Sequence, residues 1–402
     1  MNRTILGRRA ALLTGFAAVA APSVVRAQPD KGGEPIKIAT LTPLTGAGGL
    51  YGPTMAKAAA AVVEEVNSAG GILGRKIVLV SEDDQTSPEP AVRAARKLID
   101  VDKVSAIMGT WASSVTTAVA PLCWESRTPL FTVSGADSIT LLPHQGYIIR
   151  TQPNTQLQVT TLSEFILSLG SKKVFTMITQ TPFTQATIDI MGQLLPKGGA
   201  TYGSLVYDDK KTTYRTEVDQ ALRGNPDMIV ANGYTPDSVV LLKDLYRAGY
   251  KGKIIGFAYS LSQKLVDQIG QPEVVEGVYT FAPSPAEGSG AYERVKKASG
   301  LAAPDPYTCQ VYDHTSMVLM AMAQAKATTG VAIKDNVRKV SQGGGKTVDN
   351  AVDGIKAITA GEKVDYSGAS GPCDFDDKGD ILSCKFRYEQ IKGGKFTLVK
   401  IA

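Results

Sequence analysis

Histidine and cysteine are scarce in this sequence, and their scarcity excludes several kinds of chemistry. Among 402 residues there are two histidines, His144 and His314, and four cysteines. Two histidines leave little room for a histidine-rich zinc site or a histidine-based hydrolase. The Gly-x-Ser-x-Gly motif of one large hydrolase class does not occur, and four cysteines are too few for a disulfide-dense small protein. We therefore predict no catalytic residue, no metal site and no cofactor, and we expect a protein that is not an enzyme.

Long apolar runs and a strong excess of one charge are also missing. No segment offers the roughly 18 uninterrupted apolar residues that indicate a membrane-spanning helix. The formal net charge is +5, but residues 1–27 contain four arginines and no acidic residue, which leaves about +1 for residues 28–402. We therefore expect no nucleic-acid partner, and we expect that the mature chain is not itself transmembrane.

The first 27 residues have the order of a secretory signal peptide. Arg8 and Arg9 precede an apolar run at 10–21, and the segment ends in Val25-Arg26-Ala27. The twin arginines suggest the Tat route. A membrane anchor is the alternative, but the apolar run is about a dozen residues where a spanning helix needs about 20. We expect cleavage near Ala27 and a soluble protein exported to the periplasm.

Secondary-structure patterns predict two α/β units. A length near 400 residues is too great for one hydrophobic core, so two domains are expected. Strand-like and helix-like segments alternate from residue 36 to 108, and the alternation restarts at 174 and continues to 257, which indicates parallel sheets wrapped by helices. The tail contains helices near 313–327 and 350–359, a glycine-rich loop and a hairpin. We expect the two domains to share this tail.

The hairpin near the C-terminus carries two of the cysteines. Cys373 and Cys384 flank two strand-like segments around a tight Lys378-Gly379 turn. With the turn centred between these two residues, Cys373 falls opposite Cys384, and opposed Cα atoms in an antiparallel pair lie about 4.5–5.5 Å apart, within the range for a disulfide. We predict a Cys373–Cys384 disulfide in an oxidising compartment, and buried free thiols at Cys123 and Cys309.

Two glycine-containing motifs are incomplete, which argues against nucleotide binding. Gly345-Lys346-Thr347 resembles the end of a phosphate-binding loop, but Val340 stands where the first glycine is required. The segment 46–51 resembles a dinucleotide fingerprint, but Tyr51 occupies the third glycine position, so we expect a loop that lines a cleft. Carboxylates in the hairpin are typical turn formers. For Asp83-Asp84, a turn and a ligand crevice remain equal alternatives.

A set of motifs occurs in a recognisable order along nearly all of residues 36–400. The motifs are Pro43-Leu44-Thr45-Gly46, Tyr51-Gly52, the segment 66–75, Asp83-Asp84, Gly109 with Ser113-Ser114, Ser134-Gly135-Ala136, Gly233-Tyr234, Gly371-Pro372 with Phe375, and Lys378-Gly379-Asp380. This ordered set resembles the leucine/isoleucine/valine-binding family of periplasmic solute-binding proteins. It implies an α/β type I periplasmic-binding fold, in which two parallel-sheet lobes are joined by a three-segment hinge and hold a ligand between them.

The resemblance also implies lobe boundaries and partners. The first lobe is expected at 36–150 plus 284–367 and the second at 151–283 plus 368–402. Closure about the hinge traps the ligand, and the loaded protein delivers it to an inner-membrane ABC permease. The expected ligand is a small amino acid or a related carboxylate or amide, and the expected state is a monomer. A sensory module of the same fold is the second reading, and an exported enzyme, for which no nucleophile–base pair is evident, is the third.

Site residues follow from the same resemblance. Ser113 and Ser138 match the positions that hold a ligand carboxylate, with backbone groups at Ala136 nearby. Further residues expected at the cleft are Tyr51, Ser114, Ser134, Asp137, Phe183, Tyr234 and Tyr259. For Ser113 and Ser114, capping of the following helix is an equal alternative, compatible with anion binding at a helix N-terminus. For Phe183 and Tyr234, packing in the core is the alternative.

One departure from the family bears on the ligand. Amino-acid binders place a glutamate after the strand that corresponds to 254–256, where it pairs with the ligand ammonium. Here no acidic residue lies between Lys253 and Asp267, and an uncompensated buried ammonium would cost several kcal/mol. A standard α-amino acid is therefore in doubt unless Asp137 supplies the charge. Amides, urea and aromatic carboxylates are the alternative ligands.

Overall fold

The computed structural model describes residues 33–402, so the predicted signal peptide lies outside the described residues. The strands are β1 Ile36–Thr42, β2 Ile77–Asp83, β3 Ile107–Thr110, β4 Leu130–Thr132, β5 Ile148–Arg150, β6 Lys173–Thr179, β7 Thr201–Tyr207, β8 Met228–Asn232, β9 Lys253–Phe257, β10 Tyr279–Pro283, β11 Lys346–Val348, β12 Val364–Gly368, β13 Gly371–Pro372, β14 Phe386–Lys392 and β15 Lys395–Ile401. The helices are α1 Gly52–Ser68, α2 Pro88–Arg96, α3 Ser113–Glu125, α4 Thr155–Ser168, α5 Pro182–Lys197, α6 Arg215–Leu222, α7 Thr235–Arg247, α8 Gln263–Ile269, α9 Pro272–Val275, α10 Gly290–Ser299, α11 Pro306–Ala325, α12 Gly330–Ser341 and α13 Ala351–Thr359.

The first lobe is built on a five-stranded parallel sheet with the order β2-β1-β3-β4-β5. Helix α1 turns one apolar face inward, and its buried residues are Met55, Ala58, Ala59, Val62, Val63 and Val66, the i, i+3, i+4 spacing of an amphipathic helix. Helix α11 is buried along most of its length and packs against α1, α12 and α13. A small sheet, β11-β12-β13, lies beside these helices.

The second lobe is built on a seven-stranded mixed sheet with the order β15-β14-β10-β9-β8-β6-β7. Its β6 to β10 strands are parallel, whereas β14 pairs antiparallel with β10 and β15 pairs antiparallel with β14. Every residue of the central strand β8 is buried, because helices cover both faces of a doubly wound sheet. Edge strand β15 is largely exposed.

Three chain segments connect the lobes, at residues 151–154, 284–289 and 382–385. The first is held by polar contacts to the buried helix α11. The Nε2 of Gln310 donates to the Oε1 of Gln152 at 2.9 Å, and the hydroxyl of Thr151 bonds the Nε2 of His314 at 2.7 Å. Burial lowers the pKa of His314 to about 3, so this ring is neutral at physiological pH.

The predicted Cys373–Cys384 disulfide is wrong. All four cysteines, which lie in the described part of the chain, are free thiols. The hairpin turn contains one residue more than predicted, so Phe375 stands opposite Ile381. Cys373 then faces position 383, and a one-residue shift in register moves a side chain to the other face. Cys373 packs in the core of the first lobe, whereas Cys384 packs against a separate core cluster to which both lobes contribute.

Cys123 and Cys309 are buried free thiols, as predicted. Between residues 33 and 402 no helix is both long and apolar enough to cross a bilayer. The same residues contain no cluster of three or more histidine, cysteine or acidic side chains that could hold a metal ion.

Candidate functional site

A cavity of about 520 Å³, including the part open to solvent, lies between the two lobes. Its walls come from the carboxyl ends of strands in both sheets, where ligand crevices form in open α/β sheets. The first lobe contributes the turn between β3 and α3, and the second contributes the turns after β6, β8 and β9. No charged side chain of residues 33–402 lines this cavity.

Four helices begin at the cavity, and their N-termini are satisfied differently. Helix α5 is capped by Thr181, whose hydroxyl accepts from the Thr184 N–H at 3.1 Å. At α7 the carboxylate of Asp237, in the first turn, accepts from the N–H of the preceding residue Tyr234 at 2.8 Å. Helix α11 is capped by Asp305, whose Oδ1 accepts from the Thr308 N–H at 3.0 Å. Helix α3 receives no side-chain cap from the described residues. Helix α7 also has no side-chain cap within residues 33–402, but the Asp237 carboxylate lies in its first turn and would repel an anion. The first N–H groups of α3 are therefore the donors better suited to a ligand anion.

Ser113 opens helix α3 and lines the cavity. The residue at the N-cap position is Ala112, so the capping alternative for Ser113 and Ser114 is wrong. The Oγ of Ser113 accepts a hydrogen bond from the Ala136 N–H at 3.2 Å. Because that lone pair is engaged, the Ser113 hydroxyl is oriented to donate its own proton elsewhere.

The Ala136 peptide is fixed by a buried ion pair. The Nη1 of Arg150 donates to the Ala136 carbonyl at 2.5 Å, and the Nε and Nη2 of Arg150 donate to the Oδ1 of Asp380 at 2.9 and 2.6 Å. Arg150 is fully buried at the end of β5. The same contact docks the C-terminal hairpin on β5, where the carbonyl of Gly379 accepts from the Arg150 N–H at 2.8 Å.

Aromatic rings from both lobes form the apolar wall of the cavity. The ring of Trp111, from the first lobe, lies 5.9 Å from that of Tyr234 and 5.8 Å from that of Tyr259, both from the second lobe. Phe183 packs on Tyr259 at 6.3 Å and lines the cavity while 8% exposed. Aromatic pairs at such separations are mutually attractive. The lobes therefore meet through these rings.

Polar groups on the wall are neutral donors and acceptors. The Nε2 of Gln152 donates to the Oε1 of Gln158 at 3.3 Å, and both residues line the cavity. Burial raises the pKa of Tyr234 to about 12 and holds the pKa of Tyr259 and Tyr307 well above the ordinary value. These phenols therefore stay protonated. The cavity supplies hydrogen bonds and a helix N-terminus, but no carboxylate.

Of the residues predicted from the sequence, Ser113, Phe183, Tyr234 and Tyr259 line this cavity together. Tyr51 lines a neighbouring cavity, and its hydroxyl donates to the Tyr259 carbonyl at 3.3 Å. The other predicted residues do not line either of these two cavities. Ser134 and Ala136 are buried behind the wall, Ser114 and Asp137 are half-buried, and Ser138 is exposed.

Three carboxylates considered from the sequence, one predicted at the cleft and two with a turn as the equal alternative, have structural contacts instead. Asp137 accepts a hydrogen bond from the Gln156 N–H at 3.2 Å, and burial raises its pKa. Asp83 accepts from the Thr45 N–H at 3.1 Å, which fixes the loop after β1. Asp84 is fully buried, its Oδ1 accepts from the Thr86 N–H at 2.7 Å, and burial raises its pKa to about 7. None of these three side chains lines the cavity.

Sequence reasoning missed several lining residues, notably Trp111, Tyr307, Gln152 and Gln158. Trp111 follows directly after the end of β3, which is the kind of position that lines a crevice. Its position after a predicted strand could therefore have identified it from the sequence. Tyr307 enters from the start of α11, almost 200 residues along the chain, and no local pattern indicates such an approach.

Comparisons with known proteins agree on one family. A periplasmic binding protein family profile matches residues 35–395. The chemotactic signal transduction system substrate-binding protein BasB of Halobacterium salinarum is 27% identical over 354 residues, which is 85% of this chain and 84% of BasB.

Solved structures agree on the fold. The leucine binding protein LivK of Thermotoga maritima superposes with a TM-score of 0.78 at 21% identity, covering 91% of this chain and 98% of LivK. A solute binding protein of an R. palustris ABC transporter, solved with benzoate, superposes with a TM-score of 0.74 at 17% identity, covering 91% of this chain and 96% of that one.

Proposed function

Since the chain belongs to the periplasmic binding protein family, we propose that it is the exported substrate-binding component of an ABC importer. It captures a small carboxylate or amide between its lobes and delivers it to an inner-membrane permease as a monomer. The relatives are solute-binding proteins rather than enzymes. In this proposal residues 1–27 are a Tat signal peptide cleaved near Ala27.

One observation carries the proposal: the uncapped N-terminus of α3 opens into an interlobe cavity to whose wall residues 33–402 contribute no charged side chain. Such a terminus carries about half a positive charge and presents free N–H groups. A carboxylate placed there would accept from these N–H groups and from the Ser113 hydroxyl. An α-ammonium would be desolvated without a partner, at a cost of several kcal/mol.

The proposed ligand class is therefore a carboxylate with an apolar body, or a neutral amide, rather than a standard amino acid. Structural relatives include a protein named for an amino acid and one solved with an aromatic carboxylate: LivK is named for leucine, and the R. palustris protein was solved with benzoate. The rings of Trp111, Tyr234 and Tyr259 favour a flat apolar body between them.

Lobe closure is part of the proposal. We assign residues 36–150 and 284–367, extended to 381 by the hairpin, to the first lobe. Residues 151–283 and the strands β14 and β15 are assigned to the second. The hairpin at 373–381 packs on the core of the first lobe, so we place the third crossing at 382–385 within the predicted segment 368–402. Rotation about the three crossings opens and closes the aromatic contact between the lobes.

A thermal-shift panel on the mature protein tests the proposal. It contains aliphatic amino acids, aromatic carboxylates, short amides and urea, each at 1 mM. A ligand at 100 times its dissociation constant stabilises the protein by about 2.7 kcal/mol. We expect benzoate-like carboxylates or amides to raise the Tm. Stabilisation by leucine alone would contradict the ligand class, and no response to any compound would contradict the cavity assignment.

Replacement of Ser113 tests the position of the carboxylate. We expect Ser113→Ala to weaken a carboxylate ligand about 10- to 100-fold, because one hydrogen bond to a charged group contributes about 1.5–3 kcal/mol. Ser114→Ala is the matched control, since Ser114 is the next residue of α3 and does not line the cavity. Equal affinities of the two variants, measured by isothermal titration calorimetry, would place the carboxylate elsewhere.

A sensory role is the second candidate, and one observation favours it. The relative BasB is named as a component of a chemotactic signal transduction system. A sensor of this fold would present its closed form to a membrane receptor instead of a permease. Pull-down of the ligand-loaded protein from membranes, followed by identification of the partner, separates the two functions.

A further inference from the structure

A second and larger cavity lies beside the first. Its volume is about 1170 Å³, including the part open to solvent. Apolar side chains from both lobes dominate its wall: Leu50 and Leu301 come from the first lobe, and Leu261, Phe281 and Phe396 come from the second. We name the first cavity the proximal chamber and this one the distal chamber.

The two chambers share a partition of tyrosine rings. Tyr259 and Tyr307 line both chambers, and so does Gln158 beside them. Tyr51 lines the distal chamber, and its ring packs edge-on against Tyr307 at 5.2 Å between centroids. The Tyr51 hydroxyl donates a hydrogen bond across the partition to the Tyr259 carbonyl, and this bond is long at 3.3 Å. Rings in contact, rather than a strong polar network, therefore separate the chambers.

The charged groups at the distal chamber have protein partners. Arg387 bonds the carboxylates of Glu287 and Glu389, although its Nε has no partner among the described residues. Asp305 accepts hydrogen bonds from the Thr308 N–H and hydroxyl at 3.0 and 2.7 Å. Because two carboxylates already bind Arg387 and the wall is largely apolar, the chamber suits an apolar group better than a second carboxylate.

We propose that the two chambers form one bipartite site, in which the proximal chamber holds the carboxylate of an elongated ligand and the distal chamber holds its apolar tail. This inference rests on the proposed function, because it assumes that a carboxylate binds at α3. The ligand class is then an aryl- or alkyl-substituted acid longer than a branched-chain amino acid. Its tail passes the partition when the tyrosine rings part.

A series of ω-phenylalkanoates tests the site: benzoate, 3-phenylpropanoate and 5-phenylpentanoate, titrated calorimetrically into mature protein. Burial of each added methylene is worth roughly a fourfold gain in affinity, reduced by ordering of the chain. We expect 5-phenylpentanoate to bind at least tenfold tighter than benzoate. Equal or weaker binding of the long acids, with benzoate still bound, would overturn the bipartite site and leave the proposed function intact. Failure of all three acids to bind would instead contradict the carboxylate ligand of the proposed function, on which the bipartite site rests.

Two chamber-filling variants locate the tail. Ala303→Trp and Gln263→Trp fill the distal chamber from opposite lobes, and both positions are exposed, so the core is not disturbed. Ala302→Trp and Lys264→Trp are the matched controls, since these exposed neighbours do not line the chamber. The filling variants should lose the length-dependent gain and keep the affinity for benzoate. The bipartite site is wrong if filling and control variants bind 5-phenylpentanoate alike.

Discussion

The Arg150–Asp380 ion pair is the contact whose removal has the most far-reaching expected effect. Arg150 is fully buried, and its guanidinium also donates to the Thr140 hydroxyl at 2.9 Å. Asp380 is 8% exposed and accepts further hydrogen bonds from Thr140 at 3.1 Å and Asn154 at 3.4 Å. The pair therefore joins the end of β5, the hairpin and the first crossing segment.

Removal of one partner leaves the other as an uncompensated charge in the protein interior. For Arg150→Met we expect the free energy of unfolding to fall by about 3–5 kcal/mol, the usual cost of breaking a buried pair. Asp380→Asn should cost a similar amount, because it leaves the guanidinium without its counter-charge. In the double variant both charges are gone, so the combined loss should be smaller than the sum of the single losses by more than about 1 kcal/mol.

Urea unfolding followed by circular dichroism at pH 7 measures these differences, with a constant slope as the check that the transition is unchanged. The Arg387–Glu287 pair is a matched control, because the Arg387 side chain is 20% exposed and that of Glu287 is 42% exposed. Arg387→Met should cost much less, as more exposed pairs do. The reasoning fails if Arg150→Met costs under 1 kcal/mol or if the two losses add without coupling.

Three further predictions follow from single residues. His314 is neutral in the fold with a pKa of about 3, against about 6.5 when unfolded, so its contribution to stability is full above pH 6.5 and is lost as the pH falls towards 3. At pH 5 this loss is about 2 kcal/mol, and His314→Gln should flatten the measured pH dependence of unfolding by that amount; an unchanged slope refutes it. Because no disulfide forms, thiol titration of the denatured chain should give four thiols with or without reductant, whereas two would indicate a Cys373–Cys384 bridge. Binding of benzoate should change the fluorescence of wild-type protein and of Trp124→Phe but not of Trp111→Phe, since Trp111 lines the proximal chamber; a signal that persists in Trp111→Phe would place the ligand elsewhere.

Local patterns were enough to predict the alternation of strands and helices over residues 36–108 and 174–257, but not every element. The alternation of apolar residues in β1 and the helical spacing of α1 are properties of neighbouring residues, and the structure places both segments as expected. The family resemblance added the two-lobed fold, which the matching structures bear out. The C-terminal pairing of β14 with β10 joins residues more than 100 positions apart, and no local pattern indicated it.

The site was predicted less completely, because it depends on the register of the C-terminal hairpin and on residues that are distant in sequence. The disulfide failed because one extra residue in the turn changes which side chains share a face. Gly379 shows why the turn has that form: its φ is +93°, and a β-carbon there would meet the Ile148 carbonyl at 2.2 Å. Close docking of the hairpin on β5, and not hairpin sequence alone, selects the turn.

The charge of the ligand is the central claim, and a matched pair of compounds tests it. Leucine and 4-methylpentanoate differ by the α-ammonium group alone, so their carboxylates and apolar bodies are the same. Because no charged side chain of the described residues lines the proximal chamber, the ammonium of leucine would lose its hydration without gaining a partner. Titration calorimetry on the mature protein should show 4-methylpentanoate binding at least tenfold tighter than leucine. Tighter binding of leucine would contradict the account, because it would require an acidic partner that this cavity does not contain.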